Sequence, residues 1–202
     1  MEAAAKSNLK TVSLELGGKS RILIFYDADV DMAVALAHTS IFTNKGEICV
    51  AGSPIYVQEG IYNEFVKKAV EKCKNWVVGD PFNPQVHQGS QDDMKIAQDE
   101  IFGPVMSLIK FKTIEEAIEK ANSTKYGLAA GIVTKDLNTA NRVSRLICSA
   151  VIWINCYFAF DQDCPYGGYK MSGFRRDLGL NALDKYLQIK SVVTPIFCSP
   201  WL

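Results

Sequence analysis

Two residues able to carry acyl chemistry stand 34 positions apart in this 202-residue chain: Glu15 in LELGGKS (14–20) and Cys49 in NKGEICVAGS (44–53). A thiolate is a soft nucleophile that attacks carbonyl carbon, and small residues on either side let a substrate and backbone N–H groups approach it. A free cysteine is equally at home as a small buried hydrophobe, so the residue type alone leaves both roles open. Glu15 closes an apolar run. It is either a carboxylate in a dry strand, able to take a proton near neutrality, or a strand-end glutamate reaching solvent. Glu100 in QDEIFGP (98–104) has the same two readings. The two histidines, His38 in a helical pattern and His87 in a polar stretch, are not placed as a base for Cys49.

Other chemistries find little support. The glycine pair Gly17-Gly18 is too short for a phosphate loop, neither GxGxxG nor GxxxxGK[ST] occurs, and YGGYKMSG (166–173) reads as a loop. The six cysteines form no CxxC and no compact cluster with histidine, which argues against zinc and against a disulfide framework. With 22 basic and 22 acidic residues there is no electrostatic case for nucleic acid or an anionic membrane surface. No apolar run is long enough to span a bilayer, and the first ten residues lack a secretory pattern. The expectation is a reduced cytoplasmic protein.

The elements that must position these residues alternate in type. Strands are expected at TVSLEL (11–16), ILIFY (22–26), PIYVQ (54–58), VMSLIKF (105–111), LAAGIVT (128–134), AVIWIN (150–155) and SVVTPIF (191–197). Asp27 and Asp29 can cap a following helix, and 61–77 carries Ile61, Phe65, Ala69, Val70, Cys73 and Val77 at helical spacing. Thr113 and Glu116 form a capping box, a helix is expected near 137–147, and LGLNALDKYLQ (178–188) reads as helical. Pro54 fits a strand only at its first position or on an edge. The rhythm predicts an α/β fold, a mostly parallel sheet covered by helices. The polar stretch 79–100 is too long to be an ordinary connection and marks a seam.

Together these fragments resemble the aldehyde dehydrogenase superfamily. Six motifs occur in its order: LELGGKS, NKGEICVAGS, DEIFGPV (99–105), KYGLAAGIVTKD (125–136), WINCYF (153–158) and PYGGYKMSG (165–173). The resemblance runs from Ser7 onward and looks most like the plant cytosolic members. It implies an aldehyde dehydrogenase-like catalytic domain over 1–202. It also implies that most of the cofactor-binding domain is absent, that a deletion lies near 91–92, and that 190–202 is an oligomerisation strand. It implies an oxidoreductase that turns an aldehyde into a carboxylic acid with NAD or NADP. Cys49 would be the nucleophile that forms a thiohemiacetal and then a thioester, and Glu15 the base that activates water. Glu100 and Phe102 would contact the cofactor, Phe160 and Tyr166 would wall the aldehyde pocket, and no metal is implied. A cofactor-independent or inactive remnant, associating with full-length subunits or with itself, is the alternative. Departures from the family pattern are Pro54 for an arginine, Arg21 for a proline, and Ala150 and Arg175 for glycines. Each of the last two would be strained if its backbone needs positive φ.

Overall fold

The computed structural model describes residues 1–79, 88–89 and 101–195. The first half holds α1 (Glu2–Asn8), β1 (Leu14–Glu15), β2 (Ser20–Ile24), α2 (Val30–Phe42), β3 (Gly52–Gln58), α3 (Glu59–Lys74), β4 (Val78–Gly79) and β5 (Gln88–Gly89). There follow β6 (Leu108–Phe111), α4 (Ile114–Asn122), β7 (Tyr126–Gly127), β8 (Ala129–Val133), α5 (Leu137–Leu146), β9 (Val151–Ile154), β10 (Tyr169–Lys170) and β11 (Gly173–Phe174). Five strands pair in parallel in the order β6-β3-β2-β8-β9. Every residue of β2 and of β8 is buried, as strands covered on both faces require.

The two-residue period of β2 divides the core. Ile22 and Ile24 pack with Val34 and Ala37 of α2 and Phe65 of α3 on one face. Leu23 joins Phe111 of β6, Ala117 of α4 and Val143 of α5 on the other. Helix starts follow their caps. Asp29 accepts a hydrogen bond from the Met32 N–H at 3.0 Å, and Thr113 accepts one from the Glu116 N–H at 3.2 Å. The Glu116 carboxylate reaches back to the Lys112 N–H at 2.7 Å, one residue before the cap. Asp27 does not cap. It accepts from the Thr134 hydroxyl and from the Lys135 and Asp136 N–H groups, tying the end of β2 to the end of β8.

Several expectations change. TVSLEL contributes only β1, which leaves the parallel sheet to pair antiparallel with β11, so Glu15 is exposed rather than in a buried strand. VMSLIKF narrows to β6. Pro54 is the third residue of β3, an interior strand, where the β2–β3 register shifts between Ser20 and Ile22. An irregularity of this kind tolerates a residue without an N–H. Val70, Cys73 and Val77 are exposed, so α3 buries a narrower stripe of Phe65 and Ala69. The segment 178–188 forms a 3-10 helix over Leu180–Lys185 with no buried residue, entered through Gly179 at φ +57°. Residues 191–195 form no strand, while Ile196 and Phe197 lie outside the described residues. YGGYKMSG is not all loop, because β10 pairs with β7 and β11 with β1. Arg175 has φ +69°, a left-handed conformation that costs a side-chain-bearing residue about 1 kcal/mol or more, whereas Ala150 is not among the positive-φ residues.

Two buried polar groups matter for stability. Arg21, 5% exposed, donates to the Lys19 carbonyl at 2.8 Å, and burial pulls its guanidinium below the usual range. His38, 1% exposed, shares its Nε2 with the Ala69 carbonyl at 3.0 Å, while Nδ1 has no partner. Burial holds the His38 imidazole below its ordinary value, so the folded state keeps it neutral where the unfolded chain takes a proton. The resulting stability is present above the unfolded value of about 6.5 and is lost as pH falls towards the lower folded one. Urea unfolding should therefore show a decline in stability below about pH 6.5 that His38→Gln flattens. An unchanged decline in the variant would place its origin elsewhere.

Candidate active site

The site lies where the chain enters β2 and β3. Parallel pairing sets Ser20 opposite Gly52, 32 positions on. The turn before β2 and the loop before β3 therefore run side by side, and residues some 34 apart in sequence become neighbours. Gly18 fits between them because it lacks a side chain. A Cβ there would stand 3.2 Å from the Cys49 carbonyl oxygen and 2.9 Å from Leu128 Cβ.

The nucleophile loop is shaped by three successive left-handed residues after α2: Asn44 (φ +49°), Lys45 (φ +61°) and Gly46 (φ +72°). The Asn44 amide donates to the Glu47 carbonyl, and Lys45 pairs with Glu47 at 3.0 Å. A Cβ on Gly46 would lie 2.4 Å from the Gly103 backbone, so the 101–103 segment packs directly on this turn. Past Cys49 the chain is held by the Tyr157 hydroxyl, which donates to the Val50 carbonyl at 2.8 Å. Tyr157 stands in WINCYF (153–158), where residue type and spacing assign it no role. Its signal would have been a polar tip in an otherwise apolar cluster of Trp153, Val50 and Leu128.

Cys49 is half-buried, and its Sγ lies 3.1 Å from the Tyr166 hydroxyl oxygen. Burial pushes the Cys49 thiol above its ordinary value, and the Glu15 carboxylate pushes the same way. The Tyr166 hydroxyl and the backbone N–H groups of Cys49 and Val50 oppose that shift. Glu15 is thus within the electrostatic reach of Cys49. Its Oε1 accepts from the Gly17 N–H at 3.1 Å, which turns the carboxylate back along its own chain. Tyr166 is clamped by paired backbone bonds to Asp177, each 2.7 Å, and its ring meets Phe160 edge-on at 5.8 Å. Phe160 is half-exposed and packs against Trp153 at 5.3 Å.

The structure therefore sets Tyr166 against both Cys49 and Phe160, while the Glu15 carboxylate turns to the Gly17 N–H. Phe102 is half-exposed at φ +47° and lines a small cavity with Gly18, Lys19, Gly46 and Gly103. Glu100 and His87 lie outside the described residues. Among the described residues no group of three His, Cys, Asp or Glu side chains could hold a metal ion. Cys73, Cys148 and Cys164 are exposed free thiols.

The model of the aldehyde dehydrogenase family matches this sequence in two segments, residues 1–91 and 82–192. The chain belongs to the aldehyde dehydrogenase family. Aldehyde dehydrogenase family 2 member C4 of Arabidopsis thaliana is 53% identical over 248 aligned positions, covering all of this chain and 50% of the relative. Aldehyde dehydrogenase 1A1 of Mus musculus is 42% identical, covering 96% of this chain and 48% of its own. Among solved structures, the aldehyde dehydrogenase KauB from Pseudomonas aeruginosa superposes with a TM-score of 0.86 at 34% identity, covering 94% of this chain and 48% of that one. An indole-3-acetaldehyde dehydrogenase complexed with NAD+ gives 0.87 at 34% identity, covering 95% and 49%. The chain thus spans about half the length of the curated relatives it matches.

Adding a methyl group at Gly18 tests whether the close approach of the two entry loops holds the site. Gly18→Ala should lower stability by about 1–3 kcal/mol in urea unfolding and slow acylation of Cys49. A variant as stable and as readily acylated as the parent would show that the approach is not required.

Proposed function

We propose that this chain carries the acyl-transfer machinery of an aldehyde-oxidising enzyme, with Cys49 as nucleophile, Glu15 as general base and a small-molecule aldehyde as substrate. The observation that supports it best is the placement of a half-buried thiol beside a tyrosine hydroxyl at 3.1 Å, within the field of a carboxylate, in a member of this family. In the first step Cys49 gives up its proton and its sulfur attacks the aldehyde carbon. The carbonyl electron pair moves to oxygen, which takes a proton to leave a thiohemiacetal. In the last step Glu15 takes a proton from water, the hydroxide attacks a thioester carbonyl, and the C–S bond breaks. The acid leaves and Cys49 is regenerated. The Cys49 and Val50 N–H groups, which favour the charged sulfur, are the donors proposed for the oxyanion that forms in both steps.

Between these steps the carbon must lose a hydride, for which the family expectation is NAD or NADP, with Glu100 and Phe102 as the proposed contacts. The cavity at Phe102 has room for about one water molecule, about 20 Å³. The chemistry assigned to this chain's own residues is the attack and the hydrolysis. No helix among the described residues is long and apolar enough to cross a membrane, and one mouse relative is named as cytosolic. A cytoplasmic setting is the reading proposed for this chain.

A second reading, association with intact subunits or with a second copy, draws support from the carboxy-terminal segment. Val192 and Val193 are 75% and 90% exposed, a large apolar surface for an unpaired stretch. The two-segment family match supports the proposed omission near Gln91 and Asp92.

An activated ester bypasses the hydride step and isolates the proposed chemistry. It should give an acyl burst that Cys49→Ala abolishes, while Glu15→Gln should keep the burst and slow the turnover that follows by 10²-fold or more, on the order expected for a lost general base. Turnover surviving Cys49→Ala would overturn the assignment.

A further inference from the structure

We propose that Tyr166 is a catalytic residue, its hydroxyl donating a hydrogen bond to the Cys49 thiolate and so setting the pH at which the nucleophile forms. The inference deepens the reading of Cys49 as nucleophile and rests on it. As an aromatic wall of the aldehyde pocket, the position needs only a ring. The structure supplies a hydroxyl oxygen 3.1 Å from Sγ, a normal distance for a bond to sulfur.

The direction of that bond follows from the protons available. A neutral thiol can donate or accept, but a thiolate has no proton, so only the Tyr166 O–H can donate once Cys49 ionises. Tyr166 keeps its proton through that event. Burial raises its phenol above the ordinary value, and the neighbouring charges of Cys49 and Glu15 raise it further. The sulfur therefore ionises first and the phenol stays to hold the charge. A hydrogen bond to the ionised form favours that form.

The groups facing Cys49 divide by element. Glu15, from β1, is a like charge that disfavours the thiolate. Tyr157, after β9, is committed through its hydroxyl to the Val50 carbonyl. Tyr166 is the phenol that addresses the sulfur, and its placement is not incidental. Its N–H and C=O both bond to Asp177 at 2.7 Å, and Phe160 packs edge-on to its ring. At the next residue, Gly167, a Cβ would stand 2.5 Å from the Arg175 carbonyl, so the loop is pressed against the segment that follows β11. A ring held this firmly loses little rotational freedom when its hydroxyl engages the sulfur.

The test is the pH profile of Cys49 alkylation by iodoacetamide, followed at that residue by peptide mass spectrometry. Tyr166→Phe keeps the ring and removes the donor. It should move the midpoint upward by about one pH unit, the scale expected for loss of one bond to a charged sulfur. Tyr169→Phe makes the same chemical change on an exposed ring of the neighbouring strand and should leave the midpoint in place. 3-Fluorotyrosine at 166, a stronger donor, should move it down, which keeps the test available should Tyr166→Phe not fold. An unmoved or lowered midpoint in Tyr166→Phe, with Cys49 still acylated by an activated ester, overturns the role of Tyr166 alone. Failure of the parent protein to form any acyl group on Cys49 overturns the underlying reading instead.

Discussion

The parallel pairing of β2 with β3 is the constraint on which the site depends. Because both strands run the same way and Ser20 stands opposite Gly52, the two segments that enter them arrive at the same edge of the sheet. The carboxylate turn and the cysteine loop need no contact of their own to meet. The core fixes them, since Ile22, Leu23 and Ile24 are all essentially inaccessible to solvent and cannot slip by one residue without exchanging faces. Gly18 completes the arrangement by allowing the two backbones to close up. The third component, Tyr166, comes from the far end of the chain and is brought in by the pairing of β11 with β1.

The opposite end of the same sheet is tied by Asp27. In open parallel sheets the crevice beyond the carboxyl ends, where the strand order reverses, is the common place for a ligand. That point falls between β2 and β8 in this order. Asp27 bonds across this point, accepting from the Thr134 hydroxyl at 2.8 Å and from the Lys135 and Asp136 N–H groups at 2.7 and 2.8 Å. The Asn155 side chain ties both the N–H and the carbonyl of Thr134 from the adjacent strand. Glu15 and Cys49 lie on the segments that enter β2 and β3, at the amino-terminal end of these strands.

Much of the sheet was legible because its strands are apolar throughout: ILIFY, LAAGIVT and AVIWIN became β2, β8 and β9 with small changes at their ends. Cys49 and Glu15 were legible as candidates by their spacing and by resemblance to the family, and the Glu15 carboxylate is one of the influences that raise the Cys49 thiol. The misses share a cause. The fate of TVSLEL and of LGLNALDKYLQ depends on partners far away in sequence, which local pattern does not encode: β1 is defined by β11, and 180–185 has no apolar face to bury. Pro54 was misjudged because the register shift beside it is a property of the strand pair. The expectation for Tyr166 covers only its ring, and Tyr157 has none, because a sequence gives residue type and spacing but not the direction of a polar tip.

The central claim is that the sheet register holds the Glu15 carboxylate where its charge disfavours the Cys49 thiolate. The direct measurement is the titration of the Cys49 thiol, by thiolate absorbance or alkylation rate, in Glu15→Gln beside the parent protein. A neighbouring negative charge disfavours the thiolate, so its removal should shift the Cys49 midpoint to lower pH. An unchanged midpoint, or one that rises, would place the carboxylate away from the sulfur and contradict the account.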